Sequence, residues 1–241
     1  MSESQSSFQT QRKNLESTSF DDETNQESCS ELLDALEKIK SKIARGPAPA
    51  FTEAHVIKTV EIIANYKIVG RTTLSNKLEL GIGTTRTILK HLKNYGYISS
   101  SKFGFELSPK GKKLFSQIQS KISQRIQVPK NQLAVGPVVV AVLVKNAGHK
   151  VNKGIEQRNT AIRAGAAGAT TLVYCDNKIV MPLKKKHSTK GLKQIQQTAT
   201  SKLNPQNNDV VILGSGTTPT NAEIGAIMAA IKLLKNNNIN K

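Results

Sequence analysis

Seven consecutive residues, Val138 to Val144, are all apolar, five valines with Ala141 and Leu143, and leave no polar position on either side of a pleat. A run this short and rich in β-branched residues fits a strand better than a helix. Because successive strand side chains point to opposite faces, an unbroken apolar run needs cover on both. This part of the chain must therefore be layered.

The flanking pattern supplies the layers. Gly154 to Ala164 reads as a helix closed by Gly165, and Ala169 to Tyr174 and Ile179 to Met181 read as strands joined through the turn signal Asp176-Asn177. Leu192, Ile195, Ala199 and Leu203 mark a second helix, Asp209 to Leu213 a further strand, and Asn221 to Leu234 a last helix. The order β, α, β, β, α, β, α predicts a small two-layer or three-layer α/β sandwich over residues 134–236.

Upstream the character of the chain changes. Residues 1–29 are polar and partly acidic, with Phe8, Leu15 and Phe20 as scattered apolar residues, and are expected to be a disordered tail. Leu32, Leu36, Ile39 and Ile43 then line one face of an amphipathic helix over 30–45, which either packs on its own domain or pairs as a short coiled coil. Arg45-Gly46-Pro47-Ala48-Pro49 reads as a linker.

Residues 46–127 read as helix, helix-turn-helix, hairpin, helix. Val56, Ile57, Val60 and Ile63 stripe the first helix, Leu74 and Leu78 the second, and Gly81-Ile82-Gly83 turns into a third, capped by Gly83 or Thr84 and running to about Tyr95. On the third, Ile88, Leu89 and Leu92 face inward, while Arg86, Lys90 and Lys93 recur at i, i+4 and i+7 on the other side. Tyr97 to Ser101 and Phe105 to Ser108 form a hairpin around Lys102-Phe103-Gly104, and a helix from Ser108-Pro109 carries Leu114, Phe115, Ile118, Ile122 and Ile126.

The stretch Gly70-Arg71-Thr72-Thr73-Leu74-Ser75 through Gly96-Tyr97-Ile98, closed by Leu107-Ser108-Pro109-Lys110-Gly111, resembles the winged helix-turn-helix domain of prokaryotic transcription regulators. The resemblance implies that the helix from Thr84 to Tyr95 lies in a major groove and that the hairpin around Lys102 touches backbone or minor groove. Candidate DNA contacts are Arg71, Thr84, Thr85, Arg86, Lys90, His91, Lys93 and Lys102. Arg86 suits guanine, because its planar fork matches O6 and N7 together, while the lysines suit phosphates. Farther on, Ile155-Glu156-Gln157-Arg158 through Gly168-Ala169-Thr170-Thr171-Leu172 resembles the C-terminal domain of a group of archaeal winged-helix proteins. On that resemblance the second domain serves dimerisation or effector sensing.

Charge agrees with a polyanionic partner. The chain carries 35 Lys and Arg against 17 Asp and Glu, a formal net charge of +18. The surplus lies after residue 45, where cations meeting phosphates would release condensed counterions. Cys29 and Cys175 suggest no disulfide framework, and no run approaches the roughly 18 apolar residues of a membrane span, so a cytoplasmic protein without membrane association is expected. Cys175 is expected to be a small buried residue at a strand end. His55, His91, His149 and His187 have no metal-ligand spacing, and no nucleophile, base and orienting acid assemble. No cofactor and no catalytic role are expected.

Two stretches remain open. Gly214-Ser215-Gly216-Thr217-Thr218 lies between strand and helix, where it is either a plain turn or an anion-binding loop for a small-molecule effector, with Thr220 and Glu223 forming a capping box. Lys184-Lys185-Lys186-His187 is a basic loop that either reaches phosphates or is simply solvated. The leading expectation is a homodimeric regulator of duplex DNA; the alternatives are an RNA- or ribosome-associated protein and an enzyme acting on a phosphorylated metabolite.

Overall fold

The computed structural model describes residues 26–41, 49–182 and 189–236. The expected tail up to residue 25, Ile43 at the end of the expected amphipathic stripe, the Arg45-Gly46-Pro47-Ala48 part of the linker and the Lys184-Lys185-Lys186-His187 loop lie outside the described residues.

The architecture is mixed α and β. Helix α1 spans 26–40. It begins within the stretch expected as a tail, because Cys29 belongs to its apolar stripe. Cys29, Leu32, Leu36 and Ile39 are all buried in the core formed with the next helices, so the stripe packs on its own chain. Helices α2 (Glu53–Tyr66), α3 (Arg71–Leu78) and α4 (Ile82–Asn94) follow. Val56, Ile57, Val60 and Ile63 of α2, Leu74 and Leu78 of α3, and Ile88 and Leu92 of α4 are almost wholly buried. Each such side chain contributes roughly 1.5–3 kcal/mol on leaving water.

The link from α3 to α4 is short. Glu79 takes a left-handed conformation, and Ser75 closes the turn twice: its hydroxyl donates to the Leu80 carbonyl at 2.6 Å, and its carbonyl accepts from Leu80 N at 3.1 Å. Gly81 is the N-cap of α4, so the helix starts two residues before the expected cap. Strands β1 (Ile98–Ser101) and β2 (Gly104–Leu107) form an antiparallel hairpin with Lys102 and Phe103 at its tip. Val69, ahead of α3, bridges to Phe105 through backbone hydrogen bonds of 3.1 and 2.9 Å. Gly104 permits this contact: a Cβ there would lie 2.6 Å from the Val69 carbonyl oxygen.

Helix α5 (Pro109–Lys121) runs directly into strand β3 (Ile122–Val128). The spacing of Ile118, Ile122 and Ile126 predicts a helix to 126, but spacings of four also keep one face of a strand. Pairing with the buried run decides the outcome in favour of β3.

That run is β4 (Val138–Val144), in a five-stranded antiparallel sheet of order β3-β4-β7-β5-β6, with β5 Gly168–Cys175, β6 Lys178–Val180 and β7 Val210–Gly216. Asp176 and Asn177 both have positive φ, 49° and 59°, as a tight hairpin between β5 and β6 demands. Three layers result. Val140, Val142, Val144, Val210 and Ile212 share a core with α8 (Pro219–Leu234) and α6 (Ile155–Arg163), whereas Val139, Ala141, Leu143, Val211 and Leu213 pack with α7 (Thr189–Leu203). The first of these cores is continuous with that of α1 to α5. Among the described residues no helix is long and apolar enough to cross a membrane.

Candidate functional site

Helix α4 contains no carboxylate along its length. Its buried stripe of Ile88, Leu89 and Leu92 anchors it to the core, and Arg86, Lys90 and Lys93 are thereby turned outward and exposed. The β1-β2 hairpin stands beside that outer face. Between them lies a groove of about 620 Å³ whose lining includes the five cations Arg71, Arg86, Lys90, Lys93 and Lys102. None of the groove's lining residues is acidic.

The walls are fixed to each other. Lys93 Nζ donates to Ser100 Oγ at 2.8 Å, tying the last turn of α4 to the hairpin. The Val69–Phe105 bridge holds the hairpin to the start of α3, where Arg71 sits. Like charges at i and i+4, as at Arg86 and Lys90, cost a helix roughly 0.2–0.5 kcal/mol, so a bound polyanion would relieve a repulsion built into this face. Gly81 offers α4 no side-chain cap, which leaves the amides of the first turn oriented outward at the positive end of the helix dipole.

Two sequence-based candidates fall outside this face. Thr85 is fully buried and donates its hydroxyl to the Gly81 carbonyl at 3.2 Å. His91 is 4% exposed, donates from Nδ1 to the Ile39 carbonyl of α1 at 2.6 Å, and meets the Phe51 ring edge-on at 5.5 Å. The reason is helical rotation: neighbours of Arg86 and Lys90 in sequence are turned by about 100° toward the core. Thr84 is half-buried in the first turn and does not line the groove. Sequence reasoning gave no role to Phe103, which is 72% exposed and lines the groove at the hairpin tip. Its signal was an apolar residue at a turn where a polar one is usual.

The glycine-rich stretch is not a loop. Gly214, Ser215 and Gly216 are the buried end of β7; Gly214 and Ser215 are paired with β4 and β5 on either side, and Gly216 with β4. The glycines are there for close packing: a Cβ on Gly214 would lie 2.2 Å from the Ala222 carbonyl oxygen, and one on Gly216 would lie 2.7 Å from the Ala222 nitrogen. The backbone groups of Gly214 and Ser215 are thus engaged in the sheet. Only Thr217 and Thr218 are exposed, and Thr218 is the N-cap of α8, accepting from Asn221 N at 3.2 Å. Thr220 and Glu223 thus form no capping box; Glu223 pairs with Lys58 instead.

The remaining candidates are dispersed. His55 accepts from Thr52 N through Nδ1 at 3.1 Å at the start of α2, and His149 lies 3.2 Å from Asn208 Nδ2 at one end of the sheet. Cys175 is exposed at the end of β5, not buried as expected, because the Asp176-Asn177 turn carries it past the edge of the core. The Asp176 carboxylate beside it pushes its thiol above the usual range, which disfavours the thiolate.

Two stretches of the chain match known protein families. Residues 59–113 match a family model described as PH0730-like, N-terminal domain, and residues 135–233 match a domain of unknown function, DUF4443. Among solved structures, the chain is similar to the hypothetical protein PH0730 from Pyrococcus horikoshii OT3, at 29% identity and a TM-score of 0.60, over 76% of this chain and 92% of that one. These likenesses fit an archaeal protein. No curated protein matches the chain.

Proposed function

We propose that residues 51–121 are a winged helix that binds duplex DNA, with α4 entering the major groove and the β1-β2 hairpin as the wing. The observation that carries this reading is the acid-free groove in which Arg71, Arg86, Lys90, Lys93 and Lys102 converge from α3, α4 and the hairpin. A B-form major groove admits a helix, and cations on both walls match the phosphate rows on its two sides. Arg86, in the second turn, is the base-reading residue; Lys90, Lys93 and Lys102 neutralise phosphates, and Arg71 meets the backbone at the start of α3. On this reading the protein is a DNA-binding regulator.

The test is fluorescence anisotropy of the full chain with a labelled duplex selected from a random-sequence pool, against a structured RNA hairpin as competitor. Duplex binding should resist the hairpin. Lys90→Ala should weaken binding to all duplexes alike and lower the salt slope by about 1, and Arg86→Ala should relax preference at one base pair at a cost of roughly 1–3 kcal/mol. Equal affinity of wild type and both variants would remove α4 from the interface.

A further inference from the structure

Phe103 is the anomaly of the groove. Its ring is 72% exposed at the apex of the hairpin, among residues that are otherwise polar or cationic at that lip. The apex is not slack. Phe103 N donates to Ser101 Oγ at 3.2 Å, Phe105 is bridged to Val69, and β1 is tied to α4 through Lys93 and Ser100. The ring is thus presented at a fixed place relative to the cationic face, with Lys102 Nζ 5.1 Å from its centroid.

We propose, resting on the duplex-binding reading above, that Phe103 is a wedge that inserts at a base step beside the contacted groove and unstacks it. An aromatic ring leaves water and gains stacking on entering a base step, whereas phosphate contacts offer it nothing. Lys102, now over the ring, is one residue from the point of entry and reaches the phosphate flanking the opened step. Wedge insertion favours steps that unstack easily, such as TA or CA/TG. The hairpin therefore adds selectivity for deformable sequence to the direct readout by α4.

The chain has no tryptophan, which makes the test direct. In the full chain carrying Phe103→Trp, the introduced indole is the sole reporter, and its emission is read as the selected duplex is titrated in, while the anisotropy of the labelled duplex reports binding independently. Quenching that saturates with the anisotropy supports the wedge. A companion variant, Phe103→Ala, should bind about 5- to 160-fold more weakly with an unchanged salt slope, the range expected for one stacked base. A duplex with 2-aminopurine at a central TA step should brighten with wild type and not with Phe103→Ala. Binding by anisotropy with neither quenching nor brightening would overturn the wedge and leave the groove reading intact. Absence of duplex binding by wild type would overturn both.

Discussion

Lys58 Nζ lies 2.8 Å from Glu223 Oε2, joining α2 to α8 across the two halves of the chain. The pair is part of an alternating row: Glu223 also faces Arg125 Nη1 at 3.6 Å, and Arg125 grips both carboxylate oxygens of Glu61, with Nη2 at 2.7 Å from Oε1. Four charges from α2, β3 and α8 thus neutralise one another where water is largely excluded.

Breaking this row from one side leaves an uncompensated charge. Glu61→Ala should destabilise the chain by about 3 kcal/mol, read as a lower urea midpoint, because Arg125 and Lys58 are then left to share the single carboxylate of Glu223. Glu61→Ala combined with Arg125→Met should recover part of the loss. Additive losses in the double variant would mean that the pair is not coupled.

Close packing of α8 on β7 makes a second prediction. Gly214→Ala should lower stability by about 1–3 kcal/mol, because its Cβ would lie 2.2 Å from the Ala222 carbonyl oxygen and 2.8 Å from the Ala226 nitrogen, so the backbone of α8 must shift. Gly83→Ala, with nothing near it, should be neutral or stabilising by about 0.5 kcal/mol. Thermal unfolding of the two variants gives the comparison, and a mild effect at Gly214 would show that α8 shifts freely.

A third concerns pH. Burial, aided by the Lys58 ammonium, holds the His55 imidazole below its ordinary value of 6.5. Above that value both folded and unfolded chains carry it neutral; below it the unfolded chain takes up the proton first. Stability should therefore decline as pH falls from about 6.5 toward the depressed value. His55→Gln, which keeps an acceptor for Thr52 N without titrating, should flatten that part of the urea-midpoint profile.

His91 is expected to act on α1 and not on nucleic acid. The Ile39 carbonyl is among the last four of α1, which have no partner within the helix, and His91 supplies its donor. His91→Leu should cost about 1 kcal/mol and speed amide exchange in α1, with duplex affinity within about twofold of wild type. A selective loss of affinity would return His91 to the interface.

Local patterns were legible and long-range ones were not. The stripe of Ile88, Leu89 and Leu92 located α4 to within two residues at its start, and Asp176-Asn177 marked its hairpin because only a few residues accept two positive φ angles in a row. Arg86, Lys90 and Lys93 followed from helical period alone. What misled was chemistry that serves two purposes. Glycines at 214 and 216 suit an anion loop and also the close approach of a helix to a strand, and the choice depends on Ala222, six to eight residues away and folded back on them. His91 depended on a partner 52 residues earlier, and no local pattern announces that. The all-antiparallel sheet was equally hidden, because a run buried on both faces has the same composition in either direction.

The direct passage of α5 into β3 governs how this molecule can be taken apart. A cut at residue 127, where the sequence pattern alone would divide it, sends β3 away with the N-terminal fragment, strips β4 of its neighbour and separates Arg125 from Glu223. A cut before residue 122 instead gives the strand to the other fragment and deprives Glu61 of Arg125. Either excision exposes an apolar seam, so fragments made at these positions should aggregate, and biochemical dissection is better done by point substitution in the intact chain.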